Sequence, residues 1–180
     1  MAFGLILLKH IKYLPIQTRI FGRLFGILEF HSHFRWIAIN KYIDFSAPRT
    51  LEIGACSGLM TFEVARRNPH GIIIATELEQ HHVDLGNEIA KQEKFSNVTF
   101  VRQSAENLEV DGQFDQALSI DVIEHVLDDK RALEILHQAL KPQGKIILSV
   151  PTPHYPDVFG HTYADSIGHV RDGYEIADLK

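Results

Sequence analysis

Apolar residues recur along this chain at two spacings that take turns from about residue 50 onward. Leu51-Glu52-Ile53 is a short strand-like run that ends in the small-residue stretch Gly54-Ala55-Cys56-Ser57-Gly58. Leu59, Phe62 and Ala65 then share one helical stripe, which stops at Asn68-Pro69. Gly71–Thr76 is nearly continuous in apolar side chains, as expected of a strand covered on both faces, and it is followed at once by Glu77. A helix is predicted over Gln80–Lys94, with Leu85 and Ile89 one turn apart. Strands are predicted at Val98–Arg102 and Phe114–Ile120. Leu133, Leu136 and Leu140 stripe a further helix that ends at Lys141-Pro142-Gln143-Gly144, before a fifth strand at Lys145–Val150. This alternation predicts an α/β fold, a parallel sheet with helices on both faces.

The pattern divides the chain into a helical leader (1–48), an α/β core (49–150) and a C-terminal segment (151–180). Pro15 breaks the first helical stretch of the leader. Ile16 to Ile43 then shows helical spacing, with Phe30, Phe34, Ile37 and Tyr42 expected to face inward, and Ala47-Pro48 closes the segment. Beyond residue 150, Pro151, Pro153 and Pro156 open a loop that carries His154, Tyr155, His161, Tyr163 and His169. A new helix is expected to begin near Tyr174.

With 180 residues, 45% of them hydrophobic and 23% charged, the chain has enough material for one well-packed soluble domain. A net charge of −5 argues against non-specific nucleic-acid binding. Cys56 is the single cysteine, so no intramolecular disulfide can form, which suits a cytoplasmic setting. Charge is uneven, however: five basic residues against Glu29 give residues 1–35 a charge of +4 and leave −9 for the rest. The uncharged opening run ends at Leu8, too short to span a membrane, and has no basic region ahead of it as a secretory signal would. Residues 1–14 therefore read either as a helix covering the domain or as a basic amphipathic segment resting on a membrane surface or partner.

Strand, small-residue loop, helix, strand and acid form the layout of a site for an adenosine-bearing cofactor. Gly54 and Gly58 are expected where a side chain would collide with such a ligand, and Glu77 can accept hydrogen bonds from ribose hydroxyls. Five blocks in order carry a resemblance: Leu51–Gly58, Ile74–Glu77, Val101–Leu108, Phe114–Val126 and Leu140–Pro151. Over residues 50–150 the chain resembles the class I S-adenosylmethionine-dependent methyltransferases of the small-molecule, type 11-like branch. The resemblance implies a Rossmann-like doubly wound sheet, of which five parallel strands are recognised and the family's last two are missing. This suggests a truncated or partial chain with an open fifth-strand edge suited to self-association.

The resemblance also implies residue roles. Glu52 would orient the methionine ammonium, and Gly54, Ala55 and Gly58 with the following helix would meet the carboxylate. Glu77 would bind the ribose, Ser104 and Ala105 would lie beside the adenine, and Ser119 and Asp121 would border the methionine. The chain departs from the family pattern at Cys56, where a glycine is usual, and at Ser104, where an acid is usual and Glu106 could substitute. The leader would then form a substrate lid and residues 151–180 the substrate rim.

On this reading the cofactor is S-adenosylmethionine and the partner is a small-molecule methyl acceptor, a sugar or a lipid head group, with oxygen slightly favoured as acceptor atom. His169 is the expected general base, since histidine suits proton removal near neutral pH. Some relatives hold a divalent ion with an acid-x-x-Glu-His cluster. Here Asp121, Glu124 and His125 match that spacing, but capping and packing of the turn after the fourth strand is the preferred account, and no metal is expected. His81-His82 reads as a solvated helix face, and His31 and His33 as leader residues near the substrate. A nicotinamide oxidoreductase is disfavoured because Gly54–Gly58 lacks the G-x-G-x-x-G spacing. The remaining alternative is a non-catalytic module that docks a partner or membrane through its basic leader.

Overall fold

Successive side chains of a strand face opposite sides, so Leu51 and Ile53 must enter one layer while Glu52 enters the other. In the computed structural model, residues 6, 10, 20, 30–109, 112–154 and 168–179 are described. Among these, five strands, β1 (Arg49–Ile53), β2 (Ile72–Glu77), β3 (Val98–Arg102), β4 (Phe114–Ile120) and β5 (Leu140–Ser149), form one parallel sheet. The spatial order is β3-β2-β1-β4-β5. Leu51 lies between Ile74 and Ala117, and Glu52 between Ala75 and Leu118. The order reverses between β1 and β4, which opens a crevice beyond the carboxyl ends of the strands.

Helices α1 (Phe30–Ile39), α2 (Leu59–Arg67), α3 (Gln80–Gln92) and α4 (Asp129–Ala139) cover the sheet. One layer joins Trp36, Phe62 and Ile89 of the first three helices to Ile73, Phe100 and Leu118. The other joins Ala132, Ile135 and Leu136 of α4, together with Tyr174, to Leu51, Ile53 and Ala117. Each fully buried side chain of the size of Phe62 or Leu136 contributes about 1.5–3 kcal/mol.

Three expectations need correction. In the leader, Phe34, Ile37 and Tyr42 are 63%, 53% and 61% exposed, whereas Trp36, Ile39 and Ile43 are buried. Positions 34 and 37 share a helix face opposite 36 and 39, and Trp36 takes the inward stripe, with the Arg67 guanidinium 4.8 Å over its ring. The side chain of Phe30 lies outside the described residues. Second, α4 ends at Ala139, and Lys141–Gly144 form an irregularity within β5, with Gln143 at φ 68°. Leu140 already pairs with Phe114, and regular pairing resumes with Lys145 opposite Gln116. Third, residues 176–179 form a turn, closed by Asp178 N–H donating to Glu175 O at 3.0 Å, where a helix was expected from Tyr174.

Of the opening segment, Ile6 is buried in the α1–α3 layer and His10 Nε2 lies 3.0 Å from Glu93 Oε1. At these two residues the leader covers the domain. The remainder of residues 1–14 lies outside the described residues, as do Tyr155, Pro156, His161 and Tyr163. No helix among the described residues is long and apolar enough to cross a membrane.

Candidate functional site

The loop after β1 holds three residues in the left-handed region: Gly54 (φ 61°), Cys56 (φ 50°) and Gly58 (φ 88°). A Cβ on Gly54 would come within 2.5 Å of Val122, and one on Gly58 within 2.6 Å of Phe100 and 2.7 Å of Phe62. The protein's own packing therefore requires both glycines, rather than only clearance for a ligand. Gly58 caps α2 without a side-chain hydrogen bond, so the first N–H groups of that helix keep capacity for an anion.

Glu77 organises the loop. Its Oε2 accepts from Cys56 N–H at 2.7 Å, and its Oε1 accepts from Leu78 N–H at 2.8 Å and Glu79 N–H at 3.2 Å. A carboxylate offers about four lone-pair positions, so one remains, on Oε2.

Glu52 is 3% exposed, and its one side-chain hydrogen-bond partner among the described residues is Thr61, whose hydroxyl donates to Oε2 at 2.6 Å. Burial pushes this carboxyl up to about 7, against the smaller opposing effect of Thr61. A buried carboxylate in this state is short of a cationic partner, and a ligand ammonium would supply one.

On the β3 side, Ser104 Oγ accepts from Glu106 N–H at 3.2 Å, and Glu106 Oε1 accepts from Asp128 N–H at 3.0 Å. Past β4, Asp121 adopts φ 54°. Its Oδ1 accepts from Ser149 Oγ at 2.9 Å, and its Oδ2 forms an ion pair with Arg35 Nε of α1. This left-handed residue precedes the 3-10 turn Ile123–His125, and its carboxylate lies close enough to Glu124 and His169 to act on both electrostatically.

These parts enclose one cavity of about 550 Å³, within the range of small-molecule sites. Glu52, Gly54, Ala55, Glu77, Ser104, Ala105 and Asp121 all line it. Gly58 and Ser119 sit behind its wall. Gly58 is packed on Phe100, and Ser119 is buried inside β4 with its Oγ unpartnered among the described residues.

One end of the cavity is lined by Asp121, Val122, His125, Val126 and Leu127, and the segment from Gly168 to Tyr174, which carries His169, packs against this turn without lining the cavity. His125 lines the cavity, and its Nδ1 lies 3.0 Å from Gly168 O. A carbonyl only accepts, so Nδ1 is the donor in this contact. The His169 ring packs edge-on to it, with centroids 4.8 Å apart. Burial first, then His125, holds His169 below the ordinary imidazole value, so it is neutral near pH 7. Glu124 is buried, its Oε2 has no hydrogen-bond partner among the described residues, and burial pushes it up to about 7.

Single ligand atoms of Glu124, His125 and His169 lie within 4.8 Å of one another, a grouping that could hold a divalent cation. The segment is anchored by Val170 N–H donating to Glu124 O at 2.9 Å and by Arg171, 2.9 Å from Asp129 Oδ2. Tyr174 OH lies 2.9 Å from the same Asp129 oxygen and 3.2 Å from Ile123 O.

The other singled-out histidines stand apart from this end. His31, His81 and His154 are exposed, and His33 is half-buried on α1. His82, expected on a solvated face, is half-buried and brings Nε2 to 3.6 Å from Cys56 Sγ.

A family described as a methyltransferase domain matches residues 44–174. The chain belongs to that family. This methyltransferase domain is 27% identical over 113 residues to a ubiquinone biosynthesis O-methyltransferase of Coxiella burnetii, covering 62% of this chain and 47% of the relative. It is 29% identical over 138 residues to the ubiquinone/menaquinone biosynthesis C-methyltransferase UbiE of a Geobacter species, covering 72% and 58%. The chain thus spans about half the length of the curated relatives it matches. The YcgJ protein of Bacillus shares the fold, with a TM-score of 0.68, 23% identity and coverage of 83% of this chain and 65% of that one.

Sequence reasoning missed Arg35 and Thr61. Arg35 lies in the leader, where only apolar spacing could be read. Thr61 follows Glu52 by nine residues, and the strand–loop–helix layout could have indicated that α2's first turn folds back over β1.

Proposed function

We propose that this methyltransferase domain transfers the methyl group of S-adenosylmethionine to a small-molecule acceptor, with a hydroxyl oxygen as the favoured nucleophile. The observation that carries this reading is the single cavity into which Glu52, Gly54, Ala55, Glu77, Ser104, Ala105 and Asp121 converge from four strand ends. Glu52 receives the methionine ammonium, and the open N–H groups of α2 and its loop receive the carboxylate. The remaining lone pair of Glu77 takes a ribose hydroxyl. Ser104 and Ala105 flank the adenine, and Asp121 borders the sulfonium end, backed by Ser119. The fit rests on a buried carboxyl short of a cation at one end and on uncapped N–H donors beside it.

The sulfonium is already electrophilic, so the protein's task is to align methyl and nucleophile. The acceptor oxygen bonds to the methyl carbon, the C–S electron pair stays on sulfur as a thioether, and the hydroxyl proton leaves to an imidazole. His169, held below the ordinary imidazole value and packed on the cavity-lining His125, serves as that base, reached past the His125 ring. The lowered His169 imidazole supports oxygen as acceptor, although the relatives' names include both O- and C-methyltransferases.

Calorimetric titration of the chain with S-adenosylmethionine and S-adenosylhomocysteine tests the reading. Both should bind, and Glu77→Ala should weaken both at least tenfold. Wild-type protein that binds neither would overturn the assignment, and Glu77→Ala with unchanged affinity would show the ribose to be elsewhere.

A further inference from the structure

The cavity wall is rich in carboxylates, with Glu52, Glu77, Glu106 and Asp121, and among the described lining residues Arg35 is the one lysine or arginine. Among the described residues, none of the first three is ion-paired with it. Glu52 is pushed up towards neutrality by burial, Glu77 is held by three backbone N–H groups, and Glu106 accepts from Asp128. Asp121 is different: Ser149 occupies one oxygen, and the other is ion-paired with a guanidinium that arrives from α1, outside the sheet.

We propose that Arg35 is a positioning residue that neutralises Asp121 and so limits how strongly the cavity prefers a cationic sulfonium to the neutral thioether formed from it. This rests on the S-adenosylmethionine reading of the site. The reasoning is electrostatic. Methyl transfer removes the positive charge of the sulfur, and that charge is already fading in the transition state. An unneutralised Asp121 would hold the substrate cofactor more tightly than the transition state, deepening the ground state without speeding the reaction. A guanidinium paired with the carboxylate in the same wall offsets that attraction while keeping Asp121 oriented.

The pair also links charge in the cofactor half to the leader, because Arg35 shares α1 with Trp36 and Ile39, which dock on the core. Removal of Arg35 exposes one extra negative charge to the sulfonium. At a separation of about 6 Å and a dielectric between that of a surface pair and water, this corresponds to roughly a tenfold change in affinity.

The test measures dissociation constants of S-adenosylmethionine and S-adenosylhomocysteine for wild type, Arg35→Gln, Arg35→Lys, Asp121→Asn and the Arg35→Gln/Asp121→Asn double variant. Asparagine tolerates the left-handed φ of position 121, and Arg35 is partly exposed, so these variants should fold, which circular dichroism verifies. Arg35→Gln is expected to shift selectivity about tenfold toward the sulfonium. Arg35→Lys should stay near wild type, and Asp121→Asn should shift selectivity toward the thioether. The double variant should return close to wild type, because it removes both charges of the pair together. Single-turnover transfer by Arg35→Gln should be slower at saturating cofactor. An unchanged ratio in Arg35→Gln, or an equal shift in the double variant, would overturn the proposal while the cofactor reading stands. Failure of wild type to bind either compound would overturn both.

Discussion

Replacing Glu52 by glutamine removes one ionisation and keeps an oxygen that can accept from Thr61. The folded-state carboxyl titrates at about 7 against an ordinary 4.5, and burial is the main cause. In the unfolded chain the group loses its proton near the ordinary value, while the folded protein holds it until about neutrality. The contribution of Glu52 to stability is therefore complete below pH 4.5 and is lost as pH rises from there through about 7. The difference between the two values corresponds to about 3 kcal/mol, good to roughly 1 kcal/mol.

Urea unfolding of wild type and Glu52→Gln across this range measures it. The variant should gain relative to wild type with rising pH, by about 3 kcal/mol between the acidic and alkaline plateaus. Glu124 shares the same upward shift, so wild-type stability falls more steeply than Glu52 alone requires, but that slope cancels in the difference. A stability difference independent of pH would refute the reasoning. The ligand arm is equally direct. If an ammonium supplies the missing cation, cofactor affinity should fall about tenfold for each pH unit below neutrality as Glu52 takes up its proton, and Glu52→Gln should abolish that slope.

Cys56 sits at φ 50°, where a residue with a Cβ is strained by about 1–2 kcal/mol. Cys56→Gly should relieve the strain at a backbone-entropy cost of about 0.5–1 kcal/mol, raising thermal stability slightly, and a clear loss in calorimetric melting would contradict this. For His169, methyl transfer should fall as pH drops through a value below the ordinary imidazole range, and His169→Gln should remove that limb from the pH–rate profile. A chelator should leave the rate unchanged, and loss of activity restored by a divalent cation would instead assign Glu124, His125 and His169 to a metal.

The sheet was legible because its strands are short, apolar and set off by glycine, proline or acidic residues. Val98–Arg102 and Phe114–Ile120 coincide with the structure residue for residue. The placing of Gly54, Ala55 and Glu77 along one cavity was legible because they lie next to strand ends, and a strand end has a fixed place in a parallel fold. The leader was not, because a ten-residue helix carrying Phe34, Trp36, Ile37 and Ile39 has more apolar positions than one face can hold, and only packing decides which turn outward. Nor was the approach of His169 to Glu124 and His125, the grouping that could hold a cation. The pairing of His125 with His169 joins residues 44 apart through a loop, and local spacing carries no such information.

The phenol of Tyr174, wedged between Ile123 and Asp129, fixes the end of the segment that brings His169 back to the β4 turn. That segment is thus fastened to the scaffold at its own bolt, separate from the glycine loop and Glu77. Substitutions at Gly168–Arg171 can therefore vary one end of the site while the loop after β1 keeps its form, which gives such a scaffold room to change one function without rebuilding the other.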